Sequence, residues 1–291
     1  MVEAEVNAEL AGRIRAGDYL VNRIGFGSMR ITGEGVWGPP KDINKAKVLL
    51  RSAVEYGVNF IDTADSYGPE VSETLIADAL FPYHGIVVAT KGGLIRGGPG
   101  KWSPDCSPKH LRESCEKSLK RLKVDTIDIY QLHTVDPKVP FEDSFRTLLD
   151  LQKEGKIRHI GLSNIEPEHF MKALNMGSFV SVQNNYNVLN REHEDVLRLC
   201  EQHRIAFIPY FPIGGGMQPL SASRSIGDIA QSKHVSVYQV ALSWLLYHSN
   251  MILPIPGTSS LVHLQENIAS ADIELDEAEI KTLDALVTKF T

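Results

Sequence analysis

Apolar positions along this chain fall into two alternating patterns. One is a set of short, unbroken, β-rich runs at residues 21–27, 58–62, 86–91, 126–133, 158–163, 180–183, 206–210 and 251–255. Apolar runs that do not alternate with polar residues predict strands buried on both faces, the mark of a parallel sheet. The other pattern has helical spacing, with apolar residues three and four apart, and occupies stretches such as 46–56, 111–122, 141–154 and 237–248. Strands alternating with helices in this number predict an α/β protein of the (β/α)8 type, a TIM barrel, in preference to an open sheet. No Gly/Ser-rich linker or change of composition interrupts the series, so residues 1–291 read as a single barrel domain. An N-terminal extension, 8–20, reads as a small hairpin over the barrel floor, and an extra C-terminal helix is expected near 276–287. The loops 30–44, 92–108 and 211–224 are long, and such barrels keep their sites in the loops at the strands' C-terminal ends.

Composition narrows the function. With 43% hydrophobic and 23% charged residues in 291, the chain can bury a large core. Acidic residues outnumber basic ones, 36 to 30, and the net charge of -6 argues against a partner with a phosphate backbone. Cys106, Cys115 and Cys200 form no CxxC and cannot all pair, which suits a reducing compartment. Glu3, Glu5 and Glu9 interrupt the N-terminus, so neither a signal nor a transit peptide fits, and a cytoplasmic location is expected. The uncharged span 205–223 is broken by Pro209, Pro212, Pro219 and the run 214–216, so no membrane span is expected. No metal site is expected, because His193 and His203 lack ligand spacing, and no protein partner follows from the sequence.

Polar residues cluster where the strands end. The second strand gives Asp62, then Asp65, Ser66 and Tyr67; the third gives Lys91; the fourth gives Gln131 and His133. Such a set would protonate an oxyanion: a nearby Lys⁺ lowers the pKa of a tyrosine, ordinarily about 10. Asp62 would hold the lysine charged, and His133 would hydrogen-bond a substrate carbonyl. Ser163 and Asn164, then Gln183, then Tyr210 follow on later strands, and amides, a hydroxyl and an aromatic face suit the carboxamide and ring of nicotinamide. The segment from Pro256 and Gly257 through Thr258, Ser259 and Ser260 opens the last barrel helix, where free N–H groups attract a phosphate.

These residues, in this order over nearly the whole chain, resemble the aldo-keto reductases. The matching segments are Gly25-Phe26-Gly27-Ser28-Met29, Asp62-Thr63-Ala64-Asp65-Ser66-Tyr67-Gly68, Thr90-Lys91, Gln131-Leu132-His133, Gly161-Leu162-Ser163-Asn164, Gln183 with Tyr186-Asn187, and Ile255-Pro256-Gly257 through Glu266-Asn267. The resemblance implies NADP-dependent reduction of an aldehyde or ketone, with Tyr67 as proton donor and Asp62, Lys91 and His133 completing a tetrad. It implies that Ser28 and Met29 also meet the cofactor and that Ser163, Asn164 and Gln183 hold its carboxamide. Tyr210 would stack on the nicotinamide, and Phe211, Pro212, Ile213, Gly214, Gly215 and Gly216 would wrap the pyrophosphate. Glu266 and Asn267 would meet the adenine. Many members carry Lys or Arg at the start of the last helix, whereas this chain offers Gly257, Thr258, Ser259, Ser260 and His263. NADPH is favoured over NADH on the family's behaviour, with the discrimination expected to be smaller.

Trp37 and Trp102, on the loops after the first and third strands, are expected to wall the substrate site. Their flat apolar faces point to an aromatic or heteroaromatic aldehyde, and the segment Val36-Trp37-Gly38-Pro39-Pro40, together with Ile255 to Ser260, is similar to the pyridoxal reductase-like branch of the family. Gly25-x-Gly27 lacks the third glycine of a dinucleotide fingerprint, since position 30 is Arg, and Gly100-Lys101 lacks the rest of a P-loop. Two rival readings stand beside the reductase: a Schiff-base aldolase using Lys91, and a cofactor-sensing subunit with residual catalysis, as in channel-associated relatives of the family.

Overall fold

The computed structural model describes residues 6–214 and 220–287. Two antiparallel strands, β1 (Arg13–Ala16) and β2 (Tyr19–Asn22), form the expected N-terminal hairpin. Then come β3 (Phe26–Gly27), β4 (Phe60–Asp62), β5 (Val87–Gly92), β6 (Leu94–Gly98), β7 (Lys101–Pro104), β8 (Ile127–Leu132), β9 (Ile157–Ser163), β10 (Ser181–Asn185) and β11 (Ala206–Tyr210). The curled parallel sheet runs in the order β11-β10-β9-β8-β5-β4-β3, with helices between its strands, the (β/α)8 arrangement. The predicted helices form at Ile43–Glu55, Pro108–Leu122, Phe141–Lys153 and Val237–His248, and the C-terminal one at Glu277–Asp284.

Three expectations change. The run 21–27 is not one strand: Asn22 ends the hairpin, and the buried Arg23 donates to the carbonyls of Leu246, Ser249 and Ile252, leaving only Phe26–Gly27 in the barrel ladder. Residues 251–255 close the barrel without a regular ladder. Phe207 N–H donates to Met251 O (2.8 Å) and Leu253 N–H to Phe207 O (2.9 Å), while Gly25 N–H donates to Pro254 O (2.9 Å). Pro254 and Pro256 have no N–H to extend the pairing. Finally, the loop 92–108 contains a structured antiparallel hairpin, β6 with β7.

Strand residues two apart share a face, and this decides what fills the barrel. Phe60, Val87, Ala89, Ile129, Ala206, Ile208, Leu253 and Ile255 pack inside, with Ile14, Ala16 and Val21 of the hairpin closing the floor. The hairpin is pinned there by Tyr19, whose hydroxyl donates to Asp128 (2.6 Å), and by Gly17, where a Cβ would come within 2.5 Å of the His159 ring. A second, larger core lies between the sheet and its helices. At the top, the inward series ends in polar groups: Phe60 leads to Asp62, Ala89 to Lys91, Ile129 to Gln131 and His133, and Ile208 to Tyr210.

Candidate active site

The floor of the mouth is an ion pair. Lys91 Nζ donates to Asp62 Oδ1 at 2.6 Å and to Thr63 O at 2.8 Å, with Lys91 0% and Asp62 1% exposed. The other carboxylate oxygen, Oδ2, accepts from Gln183 Nε2 (2.8 Å) and Gln131 Nε2 (3.1 Å). Asp62 therefore gathers donors from three further strands. Gln131 reaches it over Gly161, where a Cβ would stand 2.7 Å from the Gln131 Cγ. Gln183, expected at a carboxamide, spends its amide N–H on Asp62, since a buried carboxylate is the stronger acceptor.

Tyr67 sits in the turn beyond β4, its ring meeting His133 and Trp102 edge-on at centroid distances of 5.9 and 6.3 Å. Lys91 Nζ lies 5.2 Å from the Tyr67 ring centre. The expected acidification of Tyr67 by Lys91 is corrected. Burial, then the charges of Asp62 and Asp65, hold the phenol well above its ordinary value. The lysine's field is taken up by Asp62 in contact with it, and burial lowers the lysine's own pKa. Burial, then the Lys91 charge, pushes His133 well below the usual histidine range, so its ring is neutral. Ser66 Oγ lies 3.4 Å from His133 Nδ1; if the hydroxyl donates there, the proton is on Nε2, free to donate.

Asp65 was noted only as a neighbour in the sequence, yet its carboxyl is enclosed. Ser114 donates to Oδ2, Oδ1 has no partner, and burial raises the group to about 7.

The far side of the mouth carries the expected cofactor residues. Asn164 adopts φ 55°, its Nδ2 donating to His133 O (2.9 Å) and Ser163 Oγ (3.1 Å), and its Oδ1 accepting from the Tyr210 hydroxyl (2.8 Å). Ser163, Asn164 and Tyr210 thus form one linked set. Phe211, Pro212, Ile213 and Gly214 follow, with Gly214 N–H donating to Phe211 O (2.9 Å), while Gly215 and Gly216 lie outside the described residues. Ser28, expected at the cofactor, is fully buried, donating to Asp62 O (2.7 Å) and accepting from Ser72 (2.7 Å), so its hydroxyl ties the barrel wall together. Met29 is half-buried in the turn that follows.

Gly257 meets Gly27 so closely that a Cβ there would lie 2.5 Å from Gly27 O. Beyond it Thr258 Oγ1 accepts from Ser260 N–H (3.0 Å), and Ser260 caps the helix Leu261–Ala269, which carries exposed His263, half-buried Glu266 and buried Asn267. Ser259 is exposed between them. The same closure brings in a cation that reading along the last helix missed: a Cβ on Gly257 would lie 3.6 Å from the Arg30 Cγ. The signal was available in the barrel assignment, which makes the first and eighth strands neighbours. Trp102, 37% exposed, meets the rings of Tyr67 and His133 at centroid distances of 6.3 and 6.5 Å, and Trp37, 39% exposed, bridges to Gly68 beside Tyr67.

Comparison with known proteins agrees with this geometry. A relative in Schizosaccharomyces pombe, an uncharacterised oxidoreductase, is 48% identical over 280 residues, covering 96% of this chain and 91% of its own. Pyridoxine 4-dehydrogenase of Escherichia coli is 40% identical over 277 residues, 93% of this chain and 96% of its own. A crystal structure of an aldo-keto reductase from Klebsiella pneumoniae in complex with NADPH superposes with a TM-score of 0.79 at 27% identity, covering 94% of each chain. A thermostable aldo-keto reductase crystallised with the inhibitor epalrestat gives a TM-score of 0.83 at 27% identity, over 94% of this chain and 99% of its own. The model of the aldo/keto reductase family matches residues 23–288, and the chain belongs to that family.

Proposed function

We propose that this protein is an NADPH-dependent carbonyl reductase whose substrate is an aromatic or heteroaromatic aldehyde of the pyridoxal type. The observation that carries the reading is the convergence at one barrel mouth of a buried Lys91–Asp62 pair, a protonated Tyr67 and a neutral His133, opposite the linked set Ser163, Asn164 and Tyr210. The donor set suits a nicotinamide dinucleotide. Ser163 and Asn164 supply polar groups for a carboxamide and Tyr210 a flat face, while Gly257, Thr258, Ser260 and Arg30 supply an anion site at a helix start. The 40% identical relative named pyridoxine 4-dehydrogenase and the neighbour bound to NADPH support the substrate and cofactor.

When bound, the dinucleotide supplies the hydride. The chain's own residues do the rest. His133, neutral, donates a hydrogen bond that orients the carbonyl. Tyr67, kept protonated by burial, gives its proton to the oxygen as negative charge develops there, an alkoxide being a stronger base than a phenolate. Lys91 then faces the phenolate left behind, and Asp62, held by two glutamines, keeps Lys91 in place. The test is NADPH consumption with pyridoxal and a panel of aldehydes. Tyr67→Phe is expected to lower turnover by about 10² or more while NADPH binding, followed by fluorescence, persists. Absence of turnover with every aldehyde, or an undiminished Tyr67→Phe rate, overturns the assignment.

A further inference from the structure

Arg96, on β6, makes an unusual set of contacts. A guanidinium has five N–H donors in a planar fork, and here all five go to backbone carbonyls. Nη1 donates to Val36 O (2.6 Å) and Ser66 O (2.9 Å), Nη2 to Gly35 O (2.9 Å) and Gly98 O (3.3 Å), and Nε to Lys101 O (3.2 Å). Among the described residues no carboxylate pairs with it. Its Cζ stands 3.5 Å from the centre of the Trp102 ring and 5.7 Å from that of Trp37. One side chain thus joins three segments far apart in sequence: the loop with Trp37, the hairpin with Trp102, and the peptide immediately before Tyr67.

We propose that Arg96 is a specificity-determining positioning residue: it staples the hairpin β6–β7 to the loop 33–38 and to the Tyr67 turn, and so presets the two tryptophans as rigid walls for a planar carbonyl substrate. The substrate half of this inference rests on the proposed reductase function. The other backbone ties across the junction are few: Gly38 N–H to Gly68 O (2.7 Å) and Gly68 N–H to Val36 O (3.3 Å) join the loop to the Tyr67 turn, and Gly100 N–H to Gly35 O (2.9 Å) is the one between loop and hairpin among the described residues. The barrel cores contain none of these loop residues, so loss of the staple loosens the mouth and leaves the fold standing. Lysine cannot replace the fork, because its three donors sit on one compact ammonium that neither spans five carbonyls nor stacks on an indole. A rigid wall reduces the ordering that a flat substrate must impose on binding, and this advantage vanishes for a short aliphatic aldehyde that touches neither ring.

The experiment compares wild type with Arg96→Met and Arg96→Lys in two arms. In the kinetic arm, both variants are expected to raise KM for pyridoxal about tenfold, the scale of one or two lost aromatic contacts, with kcat for propanal and the Kd for NADPH within about twofold of wild type. In the substrate-free arm, acrylamide quenching of tryptophan fluorescence is expected to become steeper in both variants. Trp37 and Trp102 respond, whereas Trp244, 0% exposed, does not. Equal losses for pyridoxal and propanal, an unaltered quenching slope, or full wild-type behaviour of Arg96→Lys would overturn the proposal. Wild-type protein that turns over no aldehyde would instead defeat the reductase reading, and the quenching arm would still decide whether Arg96 holds the tryptophans.

Discussion

Removing Lys91 while keeping Asp62 should harm stability and catalysis for different reasons, and a double-mutant cycle separates them. In Lys91→Met, a carboxylate 1% exposed loses a cation 2.6 Å away and retains only the glutamine donors at 2.8 and 3.1 Å. Breaking one side of a buried pair costs about 3–5 kcal/mol, mostly from the charge left uncompensated. Unfolding entropy of roughly 2.1 cal/mol/K per residue gives about 0.6 kcal/mol/K for a chain of 291 residues. The expected fall in Tm is therefore about 5–8 °C. Activity should fall by about 10² or more, because Tyr67 would leave its charge without a facing cation.

The second change, Asp62→Asn, removes the orphaned charge but keeps a carbonyl oxygen for Gln131 and Gln183. The double variant should regain stability to within about 1–2 kcal/mol of wild type, since replacing both partners of a buried pair is often close to neutral. It should remain as inactive as Lys91→Met. Thermal scans followed by circular dichroism, with NADPH turnover measured on the same samples, test both halves. Additive destabilisation in the double variant would show that the penalty is not an unpaired Asp62, and restored activity would remove Lys91 from the chemistry.

Two further outcomes follow from the same geometry. The Asp65 carboxyl, enclosed and raised to about 7, binds a proton in the folded protein that the unfolded chain releases near its ordinary 3.8, so stability should fall as pH rises from about 4 to 7, by at most about 4 kcal/mol. Asp65→Asn should remove that slope and be relatively more stable at pH 8 than at pH 4 in urea titrations; an unchanged difference between the two proteins refutes it. Arg30→Ala should weaken NADPH binding about tenfold, the scale of one charge-assisted hydrogen bond, because Arg30 borders Gly257. Titration with both cofactors reads the contact: a loss for NADPH alone places Arg30 at the 2′-phosphate, an equal loss for NADH places it at the diphosphate, and no loss refutes it.

Much of this site was legible because a strand has a period of two. Once Ala89 and Ile129 are assigned inward, Lys91, Gln131 and His133 must follow them to the mouth, and the sequence shows this without a structure. The partnership of those groups was not legible. Gln131 and Gln183 meet Asp62 across 69 and 121 residues, and only the radius of the barrel, with the space left by Gly161, determines that they touch. The pKa of Tyr67 was misjudged for the same reason. Its nearness to Lys91 could be read from strand order, but the closer contact of Lys91 with Asp62, which cancels that influence, could not. The hairpin in 92–108 left a readable trace, since β-prone residues flank the turn Gly97-Gly98-Pro99-Gly100, yet the abundance of glycine read as loop.

The mouth holds two cations, the buried Lys91 and the half-buried Arg96, and the fold retains them by opposite means. Lys91 is a point charge, so one carboxylate at contact distance suffices, and that carboxylate ties it to the strands that carry the chemistry. Arg96 is a spread charge, held by five carbonyl dipoles of loop, hairpin and turn with no counter-ion among the described residues. A carboxylate beside Arg96 would neutralise it but would tie it to one place, whereas carbonyls hold it equally from all three segments. The two cations share one physical link, the turn 62–67, where Asp62 faces Lys91 and Ser66 O faces Arg96. On the function proposed above, reaction and selection rest on separate supports that meet at Tyr67, and loop sequence can vary around Arg96 without disturbing the pair beneath it.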